Sequence, residues 1–140
     1  MSRVVLDTNV LVAALRSRRG ASFQILKRIG SEQFEPCVSV PLVLEYEAVL
    51  REQSSTLNLS APDIEAVLDY VVRVSHHQEV FYLWRPRLRD PKDDMVLEVA
   101  VASQARRIVT HNVRDFADAS QYSLPVMTPG QFLAELGESE

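Results

Sequence analysis

The feature that most restricts how this chain can fold is a series of short, unbroken apolar runs spaced by helical periodicity. Val4-Val5-Leu6 is continuous rather than alternating, as suits a central parallel strand buried on both faces. Further short strands are expected at Pro36–Val38, Val80–Trp84, Ile108–Thr110 and Pro125–Met127. Helices are expected from Val10 to about Arg16, from Ser22 to Ile29 with a stop at Gly30, from Pro41 to about Glu52, and over Ile64–Val72. Two more open at Pro91, running through about Ala105, and at Pro129. The start signals have clear causes. Proline suits the first helical turn, Ser60-Ala61-Pro62-Asp63 resembles a capping box with Asp in place of Glu, and Asp90 is placed to cap the helix at Pro91. Gln53–Leu59 is polar and turn-like, and reads as a flexible connection. Strands alternating with helices imply an α/β chain whose parallel sheet is covered on both faces.

Against that frame stand four acids, each beside an apolar run: Asp7 in VVLDTNVLVAAL, Glu45 in SVPLVLEYEAVL, Asp94 in DPKDDMVLEVAVA and Asp115 in IVTHNVRDF. A carboxylate beside core-forming sequence is costly to bury unless something compensates it. In parallel sheets, ligands bind just beyond the carboxyl ends of the strands. Asp7 directly follows the first strand, and Thr110, Asn112 and Asp115 follow a later one. Four carboxylates meeting there would repel unless a cation sat among them. Hard oxygen donors of this kind suit Mg²⁺ or Mn²⁺, and such an ion activates water and stabilises charge on a phosphate. The pattern therefore points to a metal-dependent phosphodiesterase or phosphatase.

Two choices among neighbouring acids arise. Asp90 and Asp93 have structural work as cap and first-turn acid, whereas Asp94 shares a helical face with Leu97, Val101 and Ala105, so Asp94 is preferred as ligand. Glu45 borders the face of Leu42 and Val49, Glu47 that of Val43 and Leu50. Periodicity does not separate them.

Composition narrows the field. A chain of 140 residues, 46% hydrophobic and 24% charged, fits one ordinary globular domain spanning 1–140. No apolar stretch approaches the roughly 20 residues needed to cross a bilayer, so no membrane partner is expected. The N-terminus lacks the pattern of a signal peptide. Cys37 stands alone, and cytoplasmic residence is the default. The net charge of −4 argues against a general nucleic-acid coat protein, not against a nuclease. Basic clusters at Arg16, Arg18 and Arg19, and at Arg85, Arg87 and Arg89, read as solvated surface. His76 and His77 are adjacent and point apart, a poor metal pair.

The four acidic segments, taken in order, resemble those of PIN-domain ribonucleases, especially the VapC-like toxin components of bacterial and archaeal toxin–antitoxin pairs. VVLDTNVLVAAL is similar to the family's first motif, its acid matching Asp7 and its supporting residues Thr8 and Asn9. SVPLVLEYEAVL resembles the second, which places the acid at Glu45 rather than Glu47. In the third, the spacing back from Thr110 places it at Asp94. THNVRDF resembles the fourth, giving Asp115, with Thr110 and Asn112 in accessory positions. His111 departs from the family's usual small or basic residue. The resemblance runs from about residue 3 to 130. It implies a three-layer α/β/α PIN-like domain acting as a Mg²⁺- or Mn²⁺-dependent RNA endonuclease, with a small antitoxin as partner and a homodimeric state.

Rival readings are weaker. An aspartyl-phosphate phosphatase needs a second acid where Asn9 stands. A dinucleotide-binding domain needs a GxGxxG turn, and the four glycines form none. A catalytically quiet PIN-like module that binds RNA or protein has no use for a complete acidic set.

Overall fold

The apolar run at the N-terminus becomes the central strand of the sheet. In a computed structural model that describes residues 1–80 and 91–138, β1 (Ser2–Leu6) pairs in parallel with β2 (Phe34–Val38) on one side. On its other side lies β4 (Arg107–Val109). The two-residue strands β3 (His76–His77) and β5 (Val126–Met127) extend these flanks, giving the order β3-β2-β1-β4-β5, parallel throughout. The strand order reverses direction at β1, so the chain leaves β1 and β4 at neighbouring carboxyl ends with a crevice beyond them.

Alternation along β1 sends its side chains to two cores. Val5 packs with residues of α3 (Val40–Glu52), α5 (Ala61–Val74) and α6 (Pro91–Ala102). Val4 and Leu6 pack with Ile25 of α2 (Ala21–Arg28) and with Phe132 and Leu136 of α7 (Pro129–Glu138). Helix α1 (Thr8–Arg16) gives Val10 to the second core and Leu11 and Val12 to the first. The result is the three-layer α/β/α arrangement.

Several local signals act as expected. Ser60 accepts from the Asp63 N–H while the Asp63 carboxylate accepts from the Ser60 N–H, completing the capping box. Ser39 caps α3 by accepting from Leu42 N–H, with Pro41 in the first turn. Gly30 turns the chain after α2 at φ +88°, and a Cβ there would come within 2.8 Å of the Tyr70 hydroxyl.

Two expectations need correction, and one element has no counterpart in the sequence pattern. Gln53–Leu59 is not a plain connection: Ser54–Leu57 forms a short helix, α4, whose Leu57 is buried in the larger core. One buried leucine anchors the turn, and Asn58 in the left-handed conformation ends it. Helix α6 stops at Ala102 rather than near Ala105, because Gln104 adopts φ 57° and Ala105 N–H bonds back to the Ala100 carbonyl. A 3₁₀ segment over Val113–Tyr122 was not foreseen, since its apolar residues Phe116 and Ala119 are too few to set a period. The strand expected at Val80–Trp84 and the cap at Asp90 fall largely or wholly outside the described residues. Among the described helices none is long and apolar enough to cross a membrane.

Candidate active site

Asp7 is the last residue before α1 and is 9% exposed, so its charge needs partners. One carboxylate oxygen accepts from Thr8 N–H at 2.8 Å, the other from the Thr110 hydroxyl at 2.8 Å. An ionised carboxylate has further lone pairs beyond these two. Asp7 is thus held in one orientation at the edge of the crevice.

Thr110 is the hub of this corner. It is completely buried at the end of β4, with its N–H on the Met127 carbonyl. Its hydroxyl donates to Asp7 and accepts from Asn112 N–H at 3.0 Å and from the Asn9 amide at 3.3 Å. The Asn9 carbonyl oxygen in turn accepts from His111 N–H at 3.2 Å. Asn9 and Thr110 therefore tie the loop after β4 to the start of α1. Thr110→Val should leave the Asn112 N–H and one Asp7 oxygen without this partner. We expect a loss of about 1–3 kcal/mol in unfolding stability and roughly 10–100-fold in any metal-dependent activity. Chemical denaturation and rate measurements check the two effects separately; a variant matching the parent in both would show that the hub is dispensable.

Tyr46 supports the same corner from α3. Its hydroxyl donates to the Leu6 carbonyl. Burial, then the nearby Asp7 charge, then Cys37 hold its pKa far above the ordinary phenol value, so it stays a proton donor. Cys37 is buried within β2, and burial pushes its thiol pKa up, away from nucleophilic use.

Beyond these strand ends opens a cleft of about 520 Å³. Its acidic wall consists of Asp7, Glu45, Asp93 and Asp115, with Thr8, Asn9, His111 and Asn112 beside them. Asp115 is exposed in the first turn of the 3₁₀ segment, its N–H on the Asn112 carbonyl at 3.0 Å. A cavity of similar size, about 540 Å³, lies on the outer side of α3 but is lined mainly by Val38, Val40, Pro41, Leu44, Val72 and Val80. Only the first gathers carboxylates at the switch point, so chemistry selects it.

Within each pair of neighbouring acids the two carboxylates have different surroundings. Glu45 faces the cleft and lies 3.5 Å from the Lys92 ammonium, whereas Glu47 points outward to Arg51 at 3.0 Å. On α6 Asp93 lines the cleft, and Asp94 beside it is 7% exposed. Its charge is felt by Glu98 one turn on, whose pKa is raised first by burial and then by Asp94. Lys92, Arg16, Gln53 and His111 also line the cleft; the sequence pattern puts Arg16 in a solvated basic cluster and Gln53 in a connection, and gives Lys92 no site role. The spacings Asn9–Arg16 and Glu45–Gln53 were the available signal.

The donor set suits a small hard cation in kind: carboxylates and amide oxygens, with no soft ligand among the cleft residues. Among the described residues, no three acidic, imidazole or thiol side chains stand close enough together to hold an ion in the arrangement seen. Glu45 is engaged by Lys92 and Asp7 by Thr8 and Thr110, so shared ligation requires the acids to turn inward.

A family model described as PIN domain matches residues 3–114. No curated protein matches the chain. Among solved structures, the chain is similar to one in the crystal structure of VapBC2 from Rickettsia felis bound to a DNA fragment from their promoter. The TM-score is 0.61 at 14% identity, covering 90% of this chain and 98% of that one, a likeness of fold.

Proposed function

Because the chain belongs to the PIN-domain family, we propose that residues 1–140 act as a single metal-dependent RNA endonuclease, the toxin of a toxin–antitoxin pair. The observation that carries this reading is the convergence of Asp7, Glu45, Asp93 and Asp115 on one cleft at the carboxyl ends of β1 and β4. Asp7, Glu45, Asp94 and Asp115 are the proposed ligands of Mg²⁺ or Mn²⁺, with Asp93 added on α6 because it faces the cleft. When bound, such an ion supplies an activated water and positive charge for the oxygens of a phosphodiester.

The chain's own residues do the rest. Thr110 and Asn9 fix the Asp7 carboxylate, and the buried Thr110 hydroxyl keeps that hydrogen bond out of competition with water. Lys92 offsets the charge of Glu45 and borders the same cleft, where a phosphate would lie. Asn112 and His111 close the side formed by the β4 loop. Hydrolysis joins a water oxygen to phosphorus and breaks one P–O ester bond; no covalent enzyme intermediate is required.

Incubating the purified protein with total RNA, with Mn²⁺ or with chelator, and sequencing the new ends tests the reading. Cleavage at defined sites with Mn²⁺ alone is expected. No cleavage of any RNA, together with no saturable Mn²⁺ binding that depends on Asp7, would instead favour the quiet binding module.

The proposed antitoxin, a small protein, meets a pocket that favours a basic side chain, since Arg pairs bidentately with carboxylates. The partner should therefore place an Arg or Lys beside Asp7 and Asp93. Full inhibition by a partner lacking that basic residue would sink this expectation. A homodimer is proposed as the toxin's own state, and sedimentation of the isolated chain checks it.

A further inference from the structure

The cleft has two chemically different ends. Helices α1 and α3 both leave carboxyl ends of parallel strands and pack against each other, so they run side by side in the same sense. On α3 the cleft is lined by Glu45, Val49 and Gln53, a stripe at four-residue spacing; on α1 it is lined by Asn9, Val12, Ala13 and Arg16. The acids stand where both helices begin their shared course. Arg16 and Gln53 stand where both finish it, joined by a hydrogen bond from Arg16 Nη2 to Gln53 Oε1 at 3.4 Å. From Glu45 to Gln53 the stripe covers about 12 Å at roughly 1.5 Å per residue.

We propose that the Arg16–Gln53 end of this groove is a phosphate-binding subsite that seats the RNA backbone beside the scissile position. This deepens the nuclease reading and rests on it. A polyanion is repelled by the acidic end until a cation is bound there, so the strand needs a fixed positive anchor elsewhere in the cleft. Arg16 supplies one. Its guanidinium holds donors beyond the one given to Gln53, in a fork that matches two phosphate oxygens. The floor between the two ends, Val12, Ala13 and Val49, carries no charge to interrupt the strand. Arg18 and Arg19, two and three residues on, do not line the cleft. The basic cluster thus divides into one anchor and two surface charges. A bland role also exists for Arg16, as a last-turn cation favoured by the end of α1.

The test uses the full chain, Mn²⁺ and a pool of short single-stranded RNA of random sequence, with KM and kcat followed over a range of salt. Arg16→Gln should raise KM on the order of 10-fold at low salt, leave kcat within about 2-fold, and reduce the logarithmic salt slope by about 0.7. Arg16→Lys should recover most of the salt slope, and Arg18→Gln should behave as the parent. If the parent cuts the pool and Arg16→Gln keeps its KM and salt slope, the subsite is wrong while the nuclease reading stands. A change in melting temperature or kcat with an unaltered slope would assign Arg16 to bracing Gln53 and overturn the subsite as well. A parent that neither cuts nor binds the pool would overturn the nuclease reading first and this inference with it.

Discussion

Asp7→Asn is expected to abolish metal-dependent RNA cleavage, by about 100-fold or more, in a protein that folds as the parent does. The two halves of the expectation have separate causes. Asn is as good a helix cap as Asp, so α1 should start normally from the same position and the fold should survive. With the amide oxygen kept on the Thr8 N–H, the amide nitrogen faces the Thr110 hydroxyl and can donate to it, so the link between the ends of β1 and β4 survives with its direction reversed. What disappears is the negative charge that a hard cation requires of a ligand. Circular dichroism and melting curves should match the parent, while cleavage with Mn²⁺ falls to background. A folded Asp7→Asn protein cutting RNA at the parental rate would remove Asp7 from the proposed site.

The second large effect is on stability and concerns α6. In the parent, Mn²⁺ at about one hundred times its dissociation constant should add about 2.7 kcal/mol by mass action. Asp94→Asn and Asp93→Asn should each lose most of that gain if α6 contributes both carboxylates. Loss in Asp93→Asn alone would assign the ligand to the residue on the cleft wall and withdraw Asp94.

The metal-free proteins carry a second signature. Burial, then the Asp94 charge, raises the Glu98 pKa above its ordinary value. The folded chain then binds that proton more tightly than the unfolded chain does. Stability contributed by protonated Glu98 is present below its unfolded pKa and is lost as pH rises toward the raised folded value. Mild acidification from neutral should therefore stabilise the metal-free parent until other groups begin to unfold it. In Asp94→Asn the pH dependence should shrink, since one cause of the shift is gone, and the metal-free melting temperature should rise by about 1–3 °C. A lower melting temperature in this variant, with the metal gain intact, would show that Asp94 does not share a site with Asp7.

Much of the architecture is legible along the chain because it has local causes. Val4-Val5-Leu6 reads as a buried parallel strand since no polar residue interrupts it, and Pro41, Ser60 with Asp63, and Pro129 mark helix starts through their own backbone chemistry. The α4 turn at Ser54–Leu57 is not legible in that way. The burial of Leu57 among residues of the larger core, which anchors it, exists only after distant elements have packed.

The acidic positions themselves divide along the same line. That Asp7 and Asp115 follow strand ends is a matter of sequence order, and the order alone sets both at one edge of a parallel sheet. Which of Glu45 and Glu47, or of Asp93 and Asp94, faces the cleft depends on something else. Neighbouring helical residues point about 100° apart, so the answer turns on how α3 and α6 are rotated against the elements around them. Packing with α1, α5 and the sheet sets that rotation, through contacts between residues far apart in the chain. The Thr110–Asp7 hydrogen bond, which spans 103 residues, has the same origin. The sequence by itself determined the elements, their order and the edge at which acids would gather, because those follow from local propensity and periodicity. Only the tertiary structure decided which carboxylates share the cleft and that Arg16 stands at its far end, because side-chain direction is settled by long-range packing.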